Sequence, residues 1–226
     1  RRPPAGGGAM TLRGVLFELG NTMVRYYTRD EWPGVLRTSL AEAAGLLRDR
    51  GLLNVPDAEI PVRAEAQRGG GDDGRVRPLE RRLGRVFDLP EDHPCMAELC
   101  ERFLRPTFAC AAPYDDALPT LRLLRERGLR VGILSNLPWG SPQGPWRGEV
   151  ARHGLADAVH AVAFCRDAGH RKPARQAFDY ALGLLGLAPG ECLFVGDDPR
   201  WDIAGPEAIG MPCVLIDRAG KARPPA

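Results

Sequence analysis

Short apolar runs alternate with amphipathic stretches along most of this chain. Val15-Leu16-Phe17 is an apolar run that breaks at Gly20-Asn21, as a buried strand does when it delivers the chain to a loop. From about residue 113 the alternation becomes regular. Leu118, Leu121 and Leu124 fall at helical spacing, with Pro119 near the start and Gly128 as a stop, and Val131-Gly132-Ile133-Leu134 follows as an apolar strand ending at Ser135-Asn136. The unit then recurs: a helix over about 146–153 stopped by Gly154, a strand over 159–164, a helix over 173–185 stopped by Gly186, and a strand over 192–195. A short helix over 202–209 and a last strand over 213–216 complete the series. Strands apolar on both faces, alternating with helices, predict an α/β fold: a doubly wound, Rossmann-like parallel sheet covered on both sides.

Residues 25–112 have a different character. They hold few β-branched runs but carry helical patterns such as Leu36-Leu40-Ala43-Ala44-Leu47 and Met96-Leu99-Cys100-Phe103. The expected organisation is a core of 13–24 and 113–218 interrupted by a smaller α-helical insert over 25–112. Flexible tails are expected at 1–12, where Pro and Gly are dense, and at 219–226. Gly69-Gly70-Gly71-Asp72-Asp73-Gly74, inside the insert, reads as a mobile loop. Beyond the βα period there is no internal repeat.

With 44% hydrophobic and 27% charged residues, the composition supports a sizeable core and excludes a disordered or fibrous chain. The formal net charge is +2 and no long block of one sign occurs, so neither a nucleic acid nor a membrane surface is implied as partner. No apolar stretch approaches the ~20 residues of a membrane span, and no secretory segment is evident; a cytoplasmic protein is expected. The six cysteines form no CxxC pair, and three lie in apolar runs, so free core thiols are expected.

In an open parallel sheet, ligands bind beyond the carboxyl ends of the strands. The residues there form a consistent set: Glu18-Leu19-Gly20-Asn21-Thr22 after the first strand, Ser135-Asn136 after the second, Arg171-Lys172-Pro173 before a helix, and Gly196-Asp197-Asp198-Pro199-Arg200-Trp201-Asp202 after the fourth. In order and placement these resemble the four motifs of the haloacid dehalogenase-like (HAD) hydrolase superfamily, from Val15 to Asp217, with the insert at the position of that family's helical cap. The resemblance implies a phosphatase acting on a small phosphorylated molecule through an acyl-phosphate, with Mg²⁺ as cofactor. It implies Glu18 and Lys172 as catalytic residues, Thr22, Ser135 and Asn136 as substrate-binding residues, and a metal shell drawn from Glu18, the Gly20 carbonyl, Asp197, Asp198 and Asp202. Hard oxygen ligands of this kind suit Mg²⁺.

Two positions depart from the family pattern. The family nucleophile is Asp, and Glu18 carries one methylene more. Misplacing the attacking oxygen by ~1 Å costs on the order of 10²-fold, so impaired turnover is expected. Where the family's phosphatases usually carry an acid, this chain has Gly20. Loss of that proton donor costs about 10²–10⁴-fold, which favours aryl or acyl phosphates over sugar phosphates. A haloacid dehalogenase-type hydrolase is the alternative enzyme, since a halide leaves without a proton. A non-catalytic phospholigand-binding protein is the alternative outside enzymology. The substrate and oligomeric state stay open.

Other signals are weaker. Arg75, Arg77, Arg81, Arg82 and Arg85 read as a solvated helical face ahead of an anion site. His93, Cys95, Cys100 and Cys110 match no zinc spacing. Trp139, within the Pro- and Gly-rich run 138–146, is expected in a rigid loop beside the cleft.

Overall fold

The computed structural model describes residues 11–68 and 73–218. The tail regions before residue 11 and after 218, and the Gly69 to Asp72 part of the glycine-rich loop, lie outside the described residues. The elements run β1 (Gly14–Phe17), β2 (Val24–Arg25), α1 (Trp32–Asp49), α2 (Ile60–Ala66), α3 (Leu79–Phe87), α4 (Met96–Ala109), β3 (Ala112–Pro113) and α5 (Ala117–Glu126). They continue β4 (Arg130–Ser135), α6 (Gln143–Arg152), β5 (Ala161–Phe164), α7 (Cys165–Ala168), α8 (Arg175–Leu185), β6 (Cys192–Gly196), α9 (Ala204–Glu207) and β7 (Cys213–Leu215).

The main sheet is five-stranded and wholly parallel, in the order β5-β4-β1-β6-β7. Its strands are apolar on alternate faces because each face meets helices. Val15 and Phe17 of β1, with Val131 and Ile133 of β4, join the core shared with α1 to α6. Leu16, Leu134 and Phe194 point to the other face, where Ala177, Phe178, Ala181 and Leu185 of α8 cover them. This is the two-sided burial that continuous apolar runs predict.

The insert consists of α1 to α4 and departs from and returns to the core through β2 and β3, a two-residue antiparallel pair. Helix α1 buries Leu36, Leu40, Ala43, Ala44 and Leu47, the positions its sequence spacing marks. Helix α4 likewise buries Met96, Leu99, Cys100 and Phe103. Their core is continuous with that of the sheet. No helix among the described residues is long and apolar enough to cross a membrane.

Chain order places β1 at the point where the winding reverses: β4 and β5 lie on one side, β6 and β7 on the other. Phe17 is level with Ile133 of β4 and with Val195 of β6. The residues that follow these three strands therefore emerge together at one edge, the position where open α/β sheets bind ligands.

Candidate active site

Glu18 is the first residue beyond β1 and is held there by the sheet, its N–H donating to the Val195 carbonyl at 2.9 Å. Its side chain is buried, and its placement is over-determined. Oε1 accepts from the Leu19 and Gly20 N–H groups at 3.0 and 3.2 Å and from the Ser135 hydroxyl at the end of β4, while Oε2 receives the Lys172 ammonium. Burial raises the Glu18 carboxyl above its ordinary acidity range, with Lys172 opposing and Asp202 adding to the rise.

Lys172 is almost wholly buried, yet it carries a charge. Burial alone would lower its affinity for a proton, but Glu18 and Asp202 outweigh that, and the ammonium stays protonated well into the alkaline range. Nζ also donates to Asp202 Oδ1 at 2.6 Å. The backbone of Lys172 is fixed by Asn136, whose amide accepts from Lys172 N–H at 2.9 Å and donates to the Lys172 carbonyl at 3.1 Å. The peptide bond from Lys172 to Pro173 is cis.

Beyond β6 the chain turns through one π-helical stretch, Pro199–Ile203, which folds Asp202 back beneath the strand end. Asp202 Oδ2 accepts from the N–H groups of Asp197 and Asp198, both at 3.1 Å. A glycine is required at 196: a Cβ there would lie 2.4 Å from the Asp202 carboxylate. Asp198 Oδ1 caps the turn by accepting from Arg200 and Trp201 N–H. Asp197 accepts from the Thr22 hydroxyl at 3.2 Å. Burial, and then the charges of Glu18 and Asp202, push its carboxyl up to about 7.

A cavity of about 240 Å³ opens over these groups. Glu18, Gly20, Ser135, Asn136, Lys172, Asp197, Asp198 and Asp202 all line it, so the sequence-predicted set converges with one exception. Thr22 is fully buried and does not line the cavity; its hydroxyl orients Asp197 instead of facing a ligand. Two further residues also hold the site together from within. Asp202 Oδ1 accepts from Lys172 and Oδ2 from two N–H groups, so Asp202 braces the lysine and the loop. The Asn136 amide accepts from and donates to the Lys172 backbone, which makes it a clasp on that residue and leaves its second N–H outside the clasp.

The sequence reading missed part of the aromatic wall, the two tyrosines at the insert boundary. Tyr26, Tyr27, Trp146 and Trp201 line the cavity with Arg171. Arg171 and Trp201 fall in segments the sequence marks at the strand ends and Trp146 ends the Pro- and Gly-rich run, whereas Tyr26 and Tyr27 carry no local signal. Trp139, expected near the cleft, does not line it; it stacks on Phe103 with centroids 5.5 Å apart and lies under the Arg82 guanidinium. Arg82 is correspondingly buried, unlike the solvated face expected for the arginine cluster, and burial brings its pKa down to about 10. All six cysteines are free, and Cys110 is exposed.

A buried carboxylate and lysine at the centre of a doubly wound sheet, with three further carboxylates beyond β6, define a hydrolase of the HAD type. Residues 14–210 match the family described as haloacid dehalogenase-like hydrolase, and the chain belongs to it. Glyceraldehyde 3-phosphate phosphatase of Methanopyrus kandleri is 35% identical over 111 residues, covering 49% of this chain and 46% of that protein. (S)-2-haloacid dehalogenase of Pseudomonas sp. strain YL is 32% identical over 136 residues, 60% of this chain and 54% of that one. The chain spans about half the length of the curated relatives it matches. The solved structure of a HAD phosphatase from Thermococcus onnurineus superposes with a TM-score of 0.64 at 26% identity, covering 94% of this chain and 89% of that one.

Proposed function

We propose that this protein is a Mg²⁺-dependent phosphatase of small phosphorylated metabolites, its turnover slowed by Glu18 at the nucleophile position, with core and cap in the arrangement 13–24 plus 113–218 and 25–112. One observation carries the reading: a buried carboxylate on the central strand faces a small cavity together with a buried lysine, a hydroxyl and a second, uncompensated carboxylate. Phosphatases among the relatives, the glyceraldehyde 3-phosphate phosphatase above all, support the phosphate chemistry.

The donor set fits Mg²⁺. Asp197 holds its proton up to about 7 because it sits buried beside Glu18 and Asp202 without a cation of its own, which is the environment a divalent cation relieves. Glu18 and Asp197, with the Gly20 carbonyl, would hold the ion, and Asp198 would support it. Among the described residues no three His, Cys, Asp or Glu side chains group as a metal site, so an ion here would need the Gly20 carbonyl, waters and substrate oxygens to complete its shell. Bound there, Mg²⁺ would neutralise developing charge on the phosphoryl oxygens.

The residues' own work follows. Lys172 steadies Glu18 as an anion, and its charge faces the phosphoryl group as that group arrives. Ser135 and the N–H groups of Leu19 and Gly20, which hold Glu18 Oε1, are the donors a phosphoryl group would have to share with that carboxylate. A Glu18 oxygen attacks phosphorus, the bond from phosphorus to the leaving oxygen breaks, and the electron pair departs with that oxygen. Water then hydrolyses the acyl-phosphate, releasing phosphate and restoring the carboxylate. Gly20 supplies no proton to the leaving oxygen, so aryl and acyl phosphates, which leave without one, are the favoured substrates.

The decisive experiment measures phosphate release from 4-nitrophenyl phosphate at high enzyme concentration, with Mg²⁺ and with a chelator. Release above background that the chelator abolishes is the expected result. Halide release from a 2-haloacid, unaffected by chelation, would instead identify a dehalogenase, whose leaving group needs no acid at Gly20. Tight binding of phosphate esters with no turnover would identify a phospholigand-binding protein.

A further inference from the structure

The insert meets the core at a second place, remote in the chain from the β2 and β3 junction. Residues 74–77 pass between two loops of the core. On one side the Arg171 N–H donates to the Gly74 carbonyl at 2.8 Å and the Val76 N–H donates to the Gly169 carbonyl at 3.0 Å, an antiparallel bridge centred on Arg75 and His170. On the other side Gly140, at φ +65°, lies so close to Arg77 that a Cβ would strike the Arg77 carbonyl. Just beyond, Glu80 in the first turn of α3 receives both Arg166 terminal nitrogens, at 2.9 and 3.1 Å, and Arg166 also donates to the Gly140 carbonyl at 3.2 Å. One largely buried ion pair thus joins the insert, α7 and the loop after β4.

Both loops carry the site. The turn that ends at Gly140 begins just after Ser135 and Asn136, and Gly169 to Arg171 leads straight into Lys172. From Gly169 to Lys172 the backbone lies in no helix or strand. Its bonds to distant parts of the chain are, among the described residues, those to Gly74 and Val76 of the insert and to Asn136. We infer that residues 74–80 position Lys172 from the insert, with Glu80 and Arg166, which do not line the cavity, as positioning residues. The kinetic half of the inference rests on the phosphatase reading; the structural half does not. Asn136 holds Lys172 from the sheet side and the Gly74 carbonyl holds the residue before it, so the lysine enters the site between two fixed points. Released from one of them, Nζ drifts from its place against Glu18 and Asp202, and displacing a catalytic group by ~1 Å costs on the order of 10²-fold. Loss of the ion pair alone loosens the contact without abolishing it, so its effect is smaller.

The test compares the full chain with Glu80→Gln, Arg166→Met and the two combined. Backbone amide exchange is followed by NMR, and kcat and KM are measured separately for Mg²⁺-dependent phosphate release from 4-nitrophenyl phosphate. Loss of the pair should speed exchange at Val76 and Arg171 by about three- to tenfold, the worth of one largely buried, bidentate ion pair. The Lys172 amide bonds Asn136 and not the insert, and it should speed up by a similar factor, while amides within β1 and β4 keep their rates. In the same variants kcat should fall by about three- to tenfold with KM held within about twofold, and the combined variant should be no slower than Arg166→Met, as a single shared interaction requires. Faster exchange at Val76 and Arg171 with the Lys172 amide and kcat unchanged would make the contact a fastening of the insert only and overturn the inference. Variants that exchange like the full chain at all three amides would overturn it as well. If the full chain releases no phosphate, the phosphatase reading fails, and the Lys172 amide by itself decides whether the insert positions the lysine.

Discussion

Replacing Glu18 by Asp removes one methylene from the most constrained side chain in the site. In the present arrangement Glu18 reaches past the strand end far enough to take both the Ser135 hydroxyl and the Lys172 ammonium directly, so its own carboxylate occupies the donors a phosphoryl group would use. Withdrawing the carboxylate by roughly one bond length frees those donors and returns the attacking oxygen toward the position from which in-line attack is geometrically favourable. At about 10²-fold per ~1 Å of misplacement, the variant should gain at least ~10²-fold in turnover, equivalent to about 2.7 kcal/mol of transition-state stabilisation. The assay is Mg²⁺-dependent phosphate release from an aryl phosphate at equal, high concentrations of both proteins, with Glu18→Gln as the blank. Net charge is conserved in the Asp variant and Lys172 keeps its pairing with Asp202, so the variant should remain folded, which a urea melt checks. A folded Glu18→Asp protein no faster than the parent would refute the argument that side-chain length limits this site.

Two further outcomes follow from burial. Lys172→Met leaves Glu18 and Asp202 as buried carboxylates without a counter-charge, so the urea midpoint should fall by the equivalent of about 3–5 kcal/mol, and an unchanged midpoint would mean that Lys172 is not a structural cation. Burial pushes the Cys100 and Cys192 thiols up to about 12, so at pH 8 iodoacetamide should label exposed Cys110 first and reach these two only on unfolding; mass spectrometry showing Cys192 labelled as fast as Cys110 would contradict that burial.

The parts of the fold that were legible in the sequence are those whose physics is local. Strands β1, β4 and β6 are apolar on both faces because helices cover both, and an uninterrupted apolar run states that directly. Helices α1 and α4 repeat their apolar positions at helical spacing for the same reason. Boundaries moved where tertiary geometry intervened. The helix expected from residue 173 starts at Arg175, after the turn that aims Lys172 inward, and the strand expected from 159 starts at Ala161, where pairing with Gly132 of β4 begins. The residues 202–209, read as one helix, divide into a π-helical turn and the short α9, because Asp202 must fold back under Gly196. The pair β2 and β3 was invisible, since two residues carry no periodicity.

The candidate site divides in the same way. Residues that follow apolar runs, Glu18, Ser135 and Asp197, were found because the end of a strand is a readable location. What each one does was less legible. That Asp202 braces Lys172, that Asn136 clasps the lysine backbone and that Thr22 turns inward to Asp197 depend on partners 30 to 175 positions away in the chain. Tyr26 and Tyr27 were missed for the same reason: nothing near them in sequence distinguishes a cavity lining from ordinary core.

The β2 and β3 pair gives the insert a junction of unusual economy: two adjacent crossings, with the whole of α1 to α4 strung between them. Covalently, such a junction tolerates exchange, since any segment whose ends stand side by side can be spliced there. The side chains do not allow the exchange so readily. Tyr26, just past β2, packs edge-on against Trp146 of α6, which also meets Phe108 of α4, while Phe103 of α4 stacks on Trp139. A chimera carrying a relative's insert on this core would therefore join without strain in the backbone and still fail to seat, unless Trp139 and Trp146 were recast along with it.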